Sequence, residues 1–329
     1  MQVSRGANLT ACGILLLGAM LAAQQPPTAP AKPDTPEITA MIEQARKAAA
    51  PQFIDAVHFW CEAPRANRPD DPPIAPTKIF DNVYAIGNSG TTVYVVRTSA
   101  GLLMIDALSA NQVDSQLLPG FKALGLDPAQ VKIILVSHGH GDHFGGAPYF
   151  QEHFGSKVYV SAADWMVMEN PPARGGRGPA GPPVGLPKHD AEIVEGQRIT
   201  LGDFSVTTVA VPGHTPGSMA FIFPVKDNGA AHTAALFGGA WLTPNILSDA
   251  ALETFAASVG RFRQATAAAK VDVLLQNHML MVPIQEKLDQ LATRKKGSPN
   301  PFVVGAAAYQ KFVDVMGACT SVNLARRKL

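Results

Sequence analysis

The chain has 329 residues, 47% of them hydrophobic and 16% charged, with a formal net charge of +1. This length and composition fit one large domain or two ordinary ones with a well-buried core, and exclude a disordered or fibrous chain. A near-neutral charge with no Lys/Arg cluster beside aromatic residues leaves a nucleic-acid role without electrostatic support.

The amino terminus reads as a secretory signal over residues 1–23. Arg5 gives a positive start, residues 9–21 carry an apolar stretch around Ile14-Leu15-Leu16-Leu17, and Ala22 and Ala23 precede the polar break Gln24-Gln25-Pro26-Pro27. The stretch is short for a stable membrane span, so the expectation is cleavage near Ala23 and export to a bacterial periplasm without a retained anchor. Leu9-Thr10-Ala11-Cys12 has the letters of a lipoprotein cleavage box, yet it precedes the apolar region instead of following it, which argues against lipidation. Cys61 and Cys319 would remain after cleavage. An oxidising compartment permits a disulfide between them, and two buried free thiols stay open as the alternative.

Residues 24–36 are rich in Pro, Ala and Gln and read as a flexible linker, followed by a helix over 37–50 with Ile38, Met41, Ile42 and Ala45 at helical spacing. The remainder, 51–329, is expected to form the functional domain, with a Pro-rich stretch near 68–73. Residues 83–86, 91–96 and 101–106 read as successive strands of one sheet. A helix over 111–124, a strand over 131–136, a helix over 145–154 and a strand over 157–160 follow. Then comes a Pro/Gly-rich loop, 171–187, long enough to be a candidate active-site lid. Within it, Gly176 to Gly181 matches the letters G-x-G-x-x-G, but no strand precedes it and prolines break any following helix, so it is no nucleotide cradle. The second half predicts strands over 197–201, 204–211, 218–223 and 233–237, a helix over 252–269, a strand over 271–275, and helices over 284–294 and 305–316. Sheets with helices on their outer faces accommodate this order.

The strand at 131–136 runs straight into Ser137-His138-Gly139-His140-Gly141-Asp142-His143. Such a cluster of imidazoles with a carboxylate is poor strand or helix material, and its two glycines predict a tight turn. Imidazole with carboxylate is the donor chemistry of zinc. By their spacing, His138 and His140 can face one metal while Asp142 and His143 face a second. Two more histidines follow strands: His214 in Val211-Pro212-Gly213-His214-Thr215-Pro216-Gly217-Ser218, and His278 after Leu274-Leu275-Gln276-Asn277. Both can reach the same sheet edge. His58, His153, His189 and His232 lack such settings and read as solvated or locally bonded.

These motifs resemble the metallo-β-lactamase superfamily, from about Asp81 to the end, and within it the third subclass of class B β-lactamases. Pointers to that subclass are the histidines and Asp142 of the loop, the Gly-His-Thr-Pro-Gly-Ser turn and the late Asn300-Pro301-Phe302-Val303. The resemblance implies an α/β fold, an αββα sandwich, with the site at one sheet edge. It assigns His138, His140 and His214 to a first zinc and Asp142, His143 and His278 to a second. Asp106 would bond the metal loop from behind. Two zinc ions with a shared water would present hydroxide to a substrate carbonyl, oriented by Asp142. Only a small-molecule substrate is implied, with no protein partner. One departure matters. After the strand ending Leu236-Phe237, many relatives place a bridging aspartate and other class B enzymes a cysteine or serine, whereas this chain has Gly238-Gly239-Ala240-Trp241. That weakens a glyoxalase- or lactonase-type site and leaves the six-ligand set of the third subclass complete. It also depletes the expected hydroxyl contacts to substrate, with Thr243 the nearest replacement. The expected activity is opening of the β-lactam amide. Hydrolysis of another ester, lactone or amide is the alternative, and a non-catalytic metal-binding protein a third reading.

Overall fold

Strands that are apolar at consecutive positions, as at 93–96, 102–105 and 133–136, need cover on both faces. A computed structural model describing residues 32–49, 51–62, 71–169, 185–242 and 247–329 shows how they obtain it. The expected signal segment, most of the linker, the lid candidate up to residue 184 and Thr243 lie outside the described residues.

Seven strands form the first sheet in sequence order: β1 (Thr77–Lys78), β2 (Val83–Gly87), β3 (Thr92–Thr98), β4 (Gly101–Ile105), β5 (Val131–Leu135), β6 (Lys157–Ser161) and β7 (Ala191–Ile193). Pairing is antiparallel up to β4 and parallel from β4 to β7. The second sheet holds β8 (Arg198–Leu201), β9 (Phe204–Ala210), β10 (Met219–Asp227), β11 (Ala230–Leu236) and β12 (Val273–Leu274), ordered β12-β11-β10-β9-β8. Only β11 and β12 pair in parallel there. Side chains sort by the two-residue period of a strand. Tyr94, Val96, Leu103, Ile105, Ile133 and Leu135 join the core shared with the second sheet. Their neighbours Val93, Val95, Leu102, Met104 and Ile134 line the opposite face, with Phe121 and Phe150.

Those two phenylalanines come from α3 (Leu118–Ala123) and α5 (Ala147–Phe154), between which lies the short α4 (Gly141–Phe144). The second sheet is covered by α7 (Asp249–Ala268) and α9 (Ala306–Arg326), with α1 (Pro36–Ala49) packed against α9, and all three contribute to the same core. The result is the four-layer αββα sandwich. Within 33–329 the described residues form one compact unit.

Several elements differ from expectation. The helix expected over 111–124 is a 3₁₀ turn (Ala110–Gln112), a π turn (Val113–Leu117) and then α3. Pro119 has no N–H to reach back one α-turn, which breaks the ladder there. The strand expected over 271–275 shortens to β12, although the Asp272 N–H still donates to the Thr233 carbonyl at 3.0 Å and its carboxylate takes the Thr233 N–H and His232. α9 runs ten residues past the expected end because its buried face continues through Cys319 and Val322. The hydrophobic pattern gave no sign of α2 (Ile54–Val57), of the π turn His58–Glu62 that follows it, or of α6 (Ala162–Glu169). The final helices are α8 (Ile284–Ala292) and α9.

Candidate metal centre

Every sequence-predicted imidazole leaves a strand end on the same edge of the sandwich. β5 delivers Ser137 and His138, the turn from β9 to β10 carries His214, and β12 leads through Gln276 and Asn277 to His278. The Met219 N–H at the start of β10 donates to the Ser137 carbonyl at 2.8 Å, fastening the two sheets together at this edge. The expected tight turn is a bend over 137–140 followed by α4, so Asp142 and His143 ride on its first turn.

Five imidazoles converge. His138 is central, its ring centroid 3.9 Å from His143, 4.8 Å from His214, 5.0 Å from His140 and 6.3 Å from His278. His138, His140 and His214 bring one ring nitrogen each within 4.8 Å of one another, and so do His138, His143 and His278. The Asp142 carboxylate Oδ2 lies 3.4 Å from His143 Nε2 and 3.9 Å from His278 Nε2. His138, His143 and His278 are buried and form the floor. His140 and His214 are half-buried, and the Asp142 side chain is 32% exposed, so the cluster opens to solvent on their side. His58, His153 and His232 bond locally to Glu62, the Tyr149 carbonyl and Asp272, and His189 stacks on Trp165, so none of them joins the cluster.

Outward hydrogen bonds fix which nitrogen of each ring faces inward. His143 Nδ1–H donates to Asp106 Oδ2 at 2.7 Å, and His278 Nδ1–H donates to the Gly90 carbonyl at 2.7 Å. Their Nε2 atoms therefore meet at 3.0 Å, and His214 Nε2 meets His140 Nδ1 at 3.1 Å. His138 Nε2 is buried with no hydrogen-bond partner at all. Inward-facing imidazole nitrogens at these separations repel unless a proton or a cation lies between them, and a buried orphan acceptor is costly. Burial, and then the neighbouring imidazoles His143 and His140, hold His138 and His214 well below the usual histidine range. Burial and the charge of His143 push His278 down to about 4. Burial opposes protonation of His143 too, but Asp142 and Asp106 raise it to about 10. Asp142 would be raised by burial, yet His143, His278 and His140 keep it well below the usual carboxylate range. The donor set is thus five imidazoles, His138, His214 and His278 among them held neutral, plus one ionised carboxylate, and its chemistry suits zinc.

Behind the cluster sits Asp106, fully buried at the end of β4. It accepts from the Ser137 N–H at 2.8 Å, Ser137 Oγ at 3.0 Å, His143 Nδ1 and Asn277 Nδ2 at 2.9 Å. Two further contributors were missed in the sequence. The turn Asn88-Ser89-Gly90-Thr91 supplies the carbonyl that orients His278, and Thr91 Oγ1 donates to Asp142 at 3.4 Å. Asn88 Oδ1 closes that turn by accepting from the Gly90 and Thr91 N–H groups, and an Asn-x-Gly between two strands is a legible turn signal. Asp164, on α6, had no such signal.

The strand-end departure acquires a physical meaning here. A Cβ on Gly238 would lie 2.0 Å from the Met219 carbonyl oxygen, and one on Gly239 would lie 2.8 Å from His214 Cβ. Gly239 also has φ +72°. No carboxylate or thiolate fits at either position without moving backbone. Ala240 is buried, its carbonyl accepting from Trp60 Nε1 at 2.8 Å, and Trp241 presents its ring edgewise to His278 at 5.1 Å.

Comparison with known proteins agrees with this geometry. Among solved structures the chain is similar to BJP-1, a subclass B3 metallo-beta-lactamase of Bradyrhizobium japonicum, with 28% identity and a TM-score of 0.61 over 78% of this chain and 92% of that one. Native FEZ-1 metallo-beta-lactamase from Legionella gormanii, 23% identical, shares the fold with a TM-score of 0.67 over 79% and 99% of the two chains. Among curated proteins, hydroxyacylglutathione hydrolase GloC of Haemophilus influenzae is 34% identical over 99 residues, 28% of this chain and 44% of that protein. A hydroxyacylglutathione hydrolase of Cereibacter sphaeroides is 29% identical over 224 residues, 59% of this chain and 79% of that protein. The chain thus spans under half of the first of these two relatives and about four-fifths of the second. Residues 86–227, which carry both His138-Gly139-His140 and the His214 turn, match the family model of the metallo-beta-lactamase superfamily.

Proposed function

We propose that the protein is a di-zinc hydrolase that opens the amide of β-lactams with water. In this reading His138, His140 and His214 hold one ion, and Asp142, His143 and His278 hold the other. Metal bound there would supply an acidified water and polarise the substrate carbonyl. Asp142, the carboxylate of the cluster, whose side chain is 32% exposed, would orient the attacking water. Asp106 and the Gly90 carbonyl keep His143 and His278 in the tautomer that turns Nε2 inward. The observation that carries the choice of substrate is the closed space at Gly238 and Gly239, which leaves the six side chains without a bridging carboxylate.

The names of the curated relatives favour a second reading, hydrolysis of a hydroxyacylglutathione thioester. Zinc-loaded protein assayed on a carbapenem, a cephalosporin, an acyl-homoserine lactone and a hydroxyacylglutathione separates the two. We expect β-lactam opening to dominate, to vanish on chelation, to return with zinc, and to be abolished in His138→Ala and Asp142→Ala. Thioester turnover without β-lactam turnover overturns the substrate assignment. Activity that survives removal of all metal overturns the mechanism.

A further inference from the structure

Asp164 stands at the junction of β6 and α6, fully buried and outside the cluster. Its Oδ2 accepts from the Gly139 N–H at 2.7 Å and from Thr215 Oγ1 at 2.7 Å, while Oδ1 accepts from the Gly217 N–H at 2.8 Å. One carboxylate therefore ties the residue between His138 and His140 to two residues just past His214. Ser161 Oγ adds a bond to the Gly217 carbonyl at 2.7 Å, and Thr215 in turn bonds Ser218 Oγ at 2.7 Å.

Close approach of Asp164 also accounts for two glycines of these loops. A Cβ on Gly217 would lie 2.0 Å from Ser161 Oγ and 2.6 Å from the Asp164 nitrogen. One on Gly139 would lie 3.0 Å from the Asp164 carbonyl oxygen. No Lys or Arg among the described residues forms an ion pair with Asp164. A buried carboxylate without a basic partner is an expensive element unless donors and nearby cations compensate it. Three donors are present, and all of them belong to the loops bearing His138, His140 and His214. The second group, Asp142, His143 and His278, is held instead by Asp106, Gly90 and Thr91.

We propose that Asp164 is the positioning residue of the three-histidine half of the centre, fixing the His138-Gly139-His140 bend against the His214 turn so that their ring nitrogens converge. The proposal rests on the di-metal reading above. Asparagine at 164 keeps the shape but must turn an NH₂ toward one of the N–H or O–H donors, so the two loops separate.

The test is stepwise Co(II) and Zn(II) titration of full-length Asp164→Asn against a chromophoric chelator, with the Co(II) spectrum and the melting temperature of the metal-free protein recorded alongside. His140→Ala and His278→Ala serve as references that mark which step belongs to which half. The expected result is a loss of about 10–100-fold in affinity at the His140-dependent step, the usual effect of removing a partner of this kind, with the His278-dependent step unchanged. Thr215→Val, which removes one of the three donors, should weaken the same step less, and it decides the matter if Asp164→Asn does not fold. Unchanged affinity at both steps, or equal weakening of both with a lowered metal-free melting temperature, overturns the proposal. Wild-type protein that takes up no metal overturns the di-metal reading together with it. Wild-type uptake of two ions with an indifferent Asp164→Asn overturns this inference alone.

Discussion

Asp106 follows β4 with φ +62°, a left-handed conformation that costs a side-chain-bearing residue on the order of 1–3 kcal/mol. That conformation turns the carboxylate back under the His138 loop, where it takes four donors. A strand ending in Ile105-Asp106 was readable from the sequence, but not the left-handed backbone nor the convergence of Ser137, His143 and Asn277 on one carboxylate. Asparagine tolerates the same backbone better than most residues, so Asp106→Asn isolates the hydrogen-bonding role. It should weaken metal binding at the His143 side by about 10–100-fold, because His143 loses the acceptor that fixes its tautomer. Chelator competition measures this, and native affinity in the folded variant would show that Asp106 serves packing alone.

Among elements, the junction of β10 with the end of α8 shows an ion pair of a kind the sequence does not announce. Arg294 grips Asp227 through two bonds, of 2.7 and 2.6 Å, while Asn300 Nδ2 donates to the Ile79 carbonyl at 2.8 Å. The Asn300-Pro301-Phe302 segment, read in sequence as a family marker, thus pins the chain after α8 to the strand region ahead of β2. The Arg294 hydrogen bond, working against partial burial, holds Asp227 below the usual carboxylate range. A carboxyl whose folded pKa is lowered stabilises the fold above its unfolded value, about 3.9, and loses that contribution as pH falls through the folded value. Asp227→Asn should therefore destabilise metal-free protein by about 1.5–3 kcal/mol at pH 7. In urea unfolding at successively lower pH, the gap between wild type and variant should close below about pH 4. A gap that stays constant with pH would mean that the loss came from packing.

Across the whole molecule, the N-terminal segment is fastened to the C-terminal helix. Cys61 and Cys319 form a disulfide across 258 residues of sequence, and Asn323 Nδ2 donates to the Trp60 carbonyl at 2.9 Å. Trp60 in turn bonds the Ala240 carbonyl, so the segment before the first sheet braces the strand-end loop beside His278. The structure thus decides the question left open for the two cysteines. Removing the link through paired Cys61→Ser and Cys319→Ser substitutions should cost about 2–5 kcal/mol, read as a lowered urea midpoint in non-reducing buffer. An unchanged midpoint would show that the helical packing alone carries the brace.

The sequence by itself determined the metal-binding character and the order of strands and covering helices, because both are written locally, while the sandwich came from the family resemblance. Ligand types crowd within a few residues of strand ends, and short continuous apolar runs mark strands covered on both faces. It also located the departure at Gly238-Gly239. Only the tertiary structure decided what that departure means, since the clash of a Cβ with His214 or with the Met219 carbonyl depends on chains that meet from distant positions. The same holds for Asp164, whose three donors lie 25 to 53 residues away along the chain. Hydrogen bonds and steric exclusions at such separations leave no periodic trace in a sequence, whereas burial and ligand clustering do.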